Sequence, residues 1–126
     1  MAGASRATLR IVIVDDNANL RAALGSLLRT EVRFEVVGEA QNGMEALALC
    51  RKMQPDLVLM DLHMPVMDGL SAARALKRQL PATRVVIMTS DGDESVRRAT
   101  SRAGADDFVL KTADGYKFLS QIGALF

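Results

Sequence analysis

The chain has 126 residues, enough for one domain and too few for two. Hydrophobic residues make up 49% of it, which supports a buried core and excludes general disorder. Lys and Arg total 16 against 15 Asp and Glu, and the net charge of +1 argues against a direct nucleic-acid binder or a membrane-surface binder. Trp is absent and aromatics are 4%, so a base-stacking platform is not expected. No run approaches ~18 consecutive apolar residues, so no membrane span is expected. The lone Cys50 excludes an internal disulfide framework, and a reducing, cytoplasmic setting is the simplest expectation.

Met1–Thr8 is small and polar and reads as a frayed, flexible terminus, leaving residues 9–126 as the domain. Leu9–Val14 (LRIVIV) is short and β-branched, which predicts a strand. Leu20, Ala23, Leu24, Leu27 and Leu28 then recur at helical spacing. Phe34–Ala40 reads as a second strand. Asn42 is a good N-cap, with Glu45 three residues on, for a helix that Pro55 blocks. Leu57–Met60 (LVLM) suits a strand buried on both faces. A loop with Pro65 and Gly69 leads into a helix over Leu70–Gln79, with Asp68 a candidate cap. Arg84–Thr89 is the fourth strand. Asp93 or a neighbour caps a helix through Ala103, and Gly104 stops it. Asp107–Leu110 is the fifth strand, and Asp114 can cap a last helix to about Leu125.

Strand and helix thus alternate five times. Such alternation predicts an α/β fold: a five-stranded parallel sheet, (βα)5 and doubly wound, with helices on both faces. In such sheets ligands sit at the carboxyl ends of the strands. Asp15 and Asp16 follow the first strand, Asp61 follows the third, Thr89 and Ser90 end the fourth, and Lys111 follows the fifth. Three carboxylates converging on one spot repel one another unless a cation lies among them or their pKa values rise. Carboxylate and carbonyl oxygens suit a hard ion, Mg²⁺ above all. With Lys111 and the hydroxyl of Thr89 beside them, they make a site for a phosphoryl group. A carboxylate can itself be the nucleophile, and Asp61, central in the sheet, is the candidate.

At these residues the chain resembles the receiver domain of bacterial two-component response regulators. The segment PDLVLMDLHMPVMDGL, Pro55 to Leu70, is similar to that family's phospho-acceptor signature. The Asp-Asp pair, the Thr-Ser pair and the lysine follow in matching order and spacing. The resemblance implies a flavodoxin-like fold and a set of roles. Asp61 would accept a phosphoryl group from a sensor histidine kinase or a phosphotransfer protein. Asp16 and Asp61 would ligate Mg²⁺ directly, Asp15 through water, and His63 through its backbone carbonyl. Lys111 would pair with the phosphoryl oxygens. Thr89 would swing in to hydrogen-bond them, and Phe108, at the switch-aromatic position, would turn inward with it. Gly69 would allow the tight loop into the third helix. His63 and Asp91, two residues beyond Asp61 and Thr89, would tune the lifetime of the phosphorylated state. The resemblance further implies a homodimer on phosphorylation and, in a longer parent chain, a C-terminal DNA-binding effector.

Two positions depart from the family pattern. Thr112 stands where a proline usually follows the lysine, which leaves open a trans bond with a rebuilt loop or a retained cis bond costing roughly 2.5–4 kcal/mol. Phe108 replaces the commoner tyrosine and offers no hydroxyl. Three other readings compete. A phosphorylation-independent interaction module would keep the fold without the acidic set and lysine. A small flavodoxin-like cofactor binder would not place the acidic, glycine-free Asp-Asp-Asn loop against a phosphate. An aspartyl-phosphate hydrolase would want a second Asp where His63 stands. Arg97, Arg98 and Arg102 read as the solvated face of a helix, with a partner surface as the sharper alternative.

Overall fold

The computed structural model describes residues 8–90, 92–112 and 114–125. Met1 to Ala7 of the expected frayed terminus, and Asp91, lie outside the described residues. The elements alternate as the hydrophobic runs predict: β1 (Leu9–Val14), α1 (Ala18–Leu28), β2 (Phe34–Ala40), α2 (Gly43–Met53), β3 (Leu57–Asp61), α3 (Gly69–Gln79), β4 (Arg84–Thr89), α4 (Glu94–Arg102), β5 (Asp107–Leu110) and α5 (Gly115–Ala124). All strand pairs are parallel, in the order β2-β1-β3-β4-β5.

Alternate residues of a strand face opposite sides of a sheet, and here both sets are apolar. Val12, Val14, Val58, Met60, Val85 and Ile87 face one core, filled by Ala46, Leu47 and Cys50 of α2 and Ala72, Ala73 and Leu76 of α3. Ile11, Ile13, Leu57, Leu59, Val86 and Met88 face the other, with Leu24 and Leu28 of α1 and Phe118 and Ile122 of α5. Val96 of α4 packs at the margin of the first core. The sheet is therefore doubly wound.

The caps are built from side chains that the local sequence supplies. Asn17, Asn42 and Asp68 accept from the backbone N–H groups of Leu20 (3.0 Å), Glu45 (2.9 Å) and Ser71 (2.9 Å). Asp114 accepts from Tyr116 and Lys117 at 3.0 and 3.2 Å. Asp68 starts α3 at Gly69, one residue before the expected Leu70. Gly104, at φ 89°, ends the α4 segment in the left-handed region that glycine enters without strain.

Two long-range ties complete the frame. Lys77 Nζ donates to the carbonyls of Pro81 (3.1 Å) and Thr83 (2.9 Å) and to Asp106 Oδ2 (2.9 Å). The same Asp106 oxygen accepts from Val85 N–H at 2.8 Å, which locks α3, β4 and the approach to β5 together. On the outer margin of β5, Gln121 of α5 accepts from Leu110 N–H (3.1 Å) and donates to Leu110 C=O (3.0 Å). Phe108 N–H is taken by the Asp107 side chain at 2.8 Å. Among the described residues, no helix is long and apolar enough to cross a membrane.

Cys50 is fully buried in the α2–α3 core, and burial pushes its thiol up to about 11. The folded chain therefore holds this proton past the pH, ~8.5, at which an unfolded cysteine releases it. Two outcomes are expected. A thiol reagent at pH 8 labels Cys50 promptly in denaturant and hardly at all in the native protein. Stability falls as pH climbs from the unfolded value through the folded one, and Cys50→Ala removes that part of the fall. Labelling rates and urea midpoints across the alkaline range check both.

Candidate functional site

The strand order reverses between β1 and β3, with β2 on one side and β4 on the other. A cleft opens at such a point, at the carboxyl ends of the strands. β1 runs directly into Asp15 and Asp16, and β3 ends in Asp61. The ladder to β4 carries one residue beyond the expected Met60, pairing Asp61 with Met88, which fixes the acceptor candidate on the sheet itself. Asp15 is 1% exposed and Asp61 7%, whereas Asp16 is exposed.

Lys111 reaches in from beyond β5. Its Nζ lies 2.8 Å from Asp61 Oδ1 and 3.0 Å from Asp15 Oδ2, so one ammonium bridges two buried carboxylates. Its backbone N–H donates to the carbonyl of Thr89 at 2.7 Å. No peptide bond among the described residues is cis, so the Lys111–Thr112 bond is trans. Thr112 uses its hydroxyl to accept from Asp114 N–H at 3.1 Å, rebuilding the turn into α5. The missing proline does not misdirect the lysine.

Burial raises the Asp61 carboxyl above its ordinary value, and the charges of Asp15 and Asp16 push the same way; the Lys111 hydrogen bond opposes them. For Lys111, burial pulls downward, but the hydrogen bonds to Asp61 and Asp15 outweigh it and its pKa is raised. One oxygen each from Asp15, Asp16 and Asp61 fall within 4.8 Å of one another. Three hard oxygen donors this close, with only one ammonium between them, fit a hard divalent cation.

The remaining expected residues take distinct places. Thr89 is buried at the end of β4, next to this cluster in the sheet. Phe108 is half-buried on β5, with the Arg97 guanidinium 4.5 Å from its ring centroid. The His63 side chain is exposed and lines a neighbouring cavity of about 470 Å³ with Leu62, Asp68, Leu70, Val96 and Ala99. Its imidazole is not part of the acidic cluster. Asp91 lies outside the described residues.

Two features were not legible in the sequence. A Cβ on Gly69 would fall on the carbonyl oxygen of Asp61 and close to Leu62 Cα, so the glycine is needed for space rather than for a special backbone angle. Its N–H donates to Leu62 C=O at 3.0 Å, holding the loop against the acceptor strand. Between them, Val66 sits exposed at φ 71°, a strained setting for a β-branched residue. Arg21 of α1 is the second feature. It bonds the Asp15 carbonyl, and its side chain carries no periodicity signal.

A doubly wound parallel sheet with a lysine-bridged acidic pocket at its switch point defines a class of α/β domain built to handle a cation and a phosphoryl group. The sequence profile of the response regulator receiver domain matches residues 11–123, and the chain belongs to that family. The response regulator protein VraR of Staphylococcus aureus is 42% identical over 106 residues, which are 83% of this chain and 50% of that protein. The chain spans about half the length of the curated relatives it matches. A LuxR-family two-component response regulator from an Aurantimonas species superposes with a TM-score of 0.87 at 32% identity, covering 94% of this chain and 84% of that one. A chain of the CheX–CheY–BeF3–Mg²⁺ complex from Borrelia burgdorferi superposes with a TM-score of 0.86 at 26% identity, covering 94% and 89%. The fold is accordingly flavodoxin-like, and the chain is the receiver domain of a response regulator, a family of signalling switches phosphorylated on aspartate.

Two variants probe the strain of this pocket. Asp61→Asn removes a carboxylate whose ionisation the fold opposes, while Lys111 keeps Asp15 as a partner. It is expected to raise stability in metal-free buffer by about 1 kcal/mol, read as a higher Tm, and added Mg²⁺ is expected to narrow the gap by stabilising the wild type more. Gly69→Ala is expected to cost about 1–3 kcal/mol in urea titrations, because the Asp61 backbone cannot move aside without breaking its pairing with β4.

Proposed function

We propose that Asp61 is the phospho-acceptor and that its phosphorylation, with Mg²⁺ bound, switches the surface around α4 and β5. The observation that carries this reading is the single ammonium of Lys111, held within 3.0 Å of both Asp61 and Asp15. A free Asp61 oxygen can attack the phosphorus of a phosphohistidine in line: the new O–P bond forms as the P–N bond breaks, and the leaving imidazole takes up a proton. Lys111 then passes its hydrogen bond from the Asp61 oxygen to an equatorial phosphoryl oxygen, so positioning and charge carry the reaction. Asp16 and Asp61, the backbone carbonyl of His63, and Asp15 through water would hold Mg²⁺, which when bound offsets charge on the phosphoryl oxygens. Slow loss of the phosphoryl group to water is intrinsic to the same site, and the chain turns over no metabolic substrate. His63 and Asp91 tune that lifetime.

The response follows from the neighbours of the acceptor. Thr89, buried beside Asp61 in the sheet, bonds the new dianion through its hydroxyl, and Phe108 moves into the space it leaves. That motion breaks the stack with Arg97 and alters the α4–β5 face. The donor is a sensor histidine kinase or a phosphotransfer protein. The output in a parent chain is a DNA-binding effector, with dimerisation on phosphorylation. The likeness to a LuxR-family response regulator is in keeping with a transcription-regulating parent, and cytoplasmic signalling is its setting.

The test is intact mass after incubation with a small acyl phosphate, with and without Mg²⁺, on the wild type and on Asp61→Asn. A Mg²⁺-dependent gain of one phosphoryl group, absent in Asp61→Asn, is the expected result. No gain in the wild type would make the chain a phosphorylation-independent interaction module instead.

A further inference from the structure

The acidic pair after β1 must be aimed as well as present, and the structure shows what aims it. Asp15 has each of its polar atoms engaged. Its N–H donates to Ala40 C=O at 3.1 Å, continuing the ladder with β2. Its Oδ1 accepts from Asn17 N–H at 2.9 Å, and its Oδ2 accepts from Lys111 at 3.0 Å. Its carbonyl accepts from Arg21 Nη1. That carbonyl belongs to the peptide plane shared with Asp16, and a peptide plane moves as one body. Holding the Asp15 oxygen therefore sets the direction in which the Asp16 backbone, and with it the exposed Asp16 carboxylate, leaves the loop.

Arg21 is itself held. Its Nε lies 3.3 Å from Glu39 Oε1, and its side chain is only 18% exposed. Glu39 stands on β2 opposite Ile13 of β1, one residue short of the end of both strands. The guanidinium thus spans from α1 across the β1–α1 loop to the edge of the sheet, with one nitrogen on the loop carbonyl and another on Glu39. The planar fork reaches these two acceptors from two separate nitrogens, Nη1 on the carbonyl and Nε on Glu39, where a lysine would bring only one nitrogen to the pair.

We propose that Arg21, braced by Glu39, is a positioning residue for the cation site: it fixes the Asp15–Asp16 peptide so that the Asp16 carboxylate converges on Asp15 and Asp61. The inference rests on the reading of that cluster as a Mg²⁺ site and deepens it. Groups that orient metal ligands from behind typically cost about ten- to a hundredfold in metal affinity when removed.

The experiment is a Mg²⁺ titration of the metal-free protein followed by the amide NMR shifts of Asp15, Asp16 and Asp61, with Tm measured in parallel. Arg21→Ala is expected to bind Mg²⁺ about tenfold more weakly, with phosphorylation by an acyl phosphate recovering at saturating Mg²⁺. Arg21→Lys, which keeps the charge and loses the fork, is expected to stay close to Arg21→Ala. A wild-type affinity in Arg21→Ala overturns the proposal, and so does full rescue by Arg21→Lys, which would make the effect one of charge alone. If Arg21→Ala does not fold, Glu39→Gln carries the test: weakened binding supports the brace and wild-type binding overturns it. A wild type that binds no Mg²⁺ overturns the reading of the site and this inference with it, whereas loss confined to the Arg21 variants leaves both standing.

Discussion

Everything at the carboxyl edge of this sheet is organised around a repulsion. The fold drives two buried carboxylates and one exposed carboxylate into a few ångströms, which an apolar surround makes unfavourable. One lysine, arriving from the far side of the sheet, partly offsets it. Lys111 is able to do so because its backbone is tied to Thr89 and because the turn beyond it is closed by Thr112 and Asp114. The balance is left incomplete. Burial keeps the Asp61 pKa raised despite the lysine, and three carboxylates set against one ammonium make a cluster that could hold a cation. A better-compensated pocket would be a more stable protein and a poorer switch.

The two cores explain why such a pocket can be sustained. Strands buried on both faces leave the backbone no freedom to carry Asp15 and Asp61 apart, since each shift would drag β-branched side chains out of close packing on both sides. The loop from β3 to α3 is held just as closely: Gly69 abuts the Asp61 carbonyl with no room for a methyl group. Rigidity below the site and tightness behind it fix the acidic cluster, and Thr89 and Phe108 lie on the two strands beside it, β4 and β5. Phe108 there rests partly exposed under Arg97.

Much of this was legible in the sequence, for reasons that can be assigned. The strands announce themselves because a doubly covered parallel sheet demands continuous apolar runs, as in LRIVIV and LVLM. The helix starts are legible at Asn42, Asp68 and Asp114, where a short polar side chain precedes an amphipathic stretch. Asp15, Asp16, Asp61 and Lys111 are legible because each directly follows or ends a strand. The illegible part consists of pairings between distant residues. Arg21 with Glu39 and Lys77 with Asp106 join half-covered cations to distant carboxylates, pairings on which hydrophobic periodicity is silent. Gly69 was visible as a turn residue, but its real constraint is the proximity of another backbone, which only three-dimensional packing creates. At Thr112 the sequence leaves the bond after the lysine open, and the structure closes the turn with a trans bond and a hydroxyl cap in place of a ring.

The outer margin of β5 has a consequence for how copies of such a domain can meet. A bare edge strand offers a row of free amides and carbonyls on which another chain can zip. Here Gln121 occupies both the amide and the carbonyl of Leu110, and Asp107 takes the amide of Phe108. The template is already read by the protein's own side chains. Any assembly on this flank is thereby steered toward side-chain recognition, which can be made and unmade by a local rearrangement, and away from strand-on-strand annealing, which once begun has no natural stopping point.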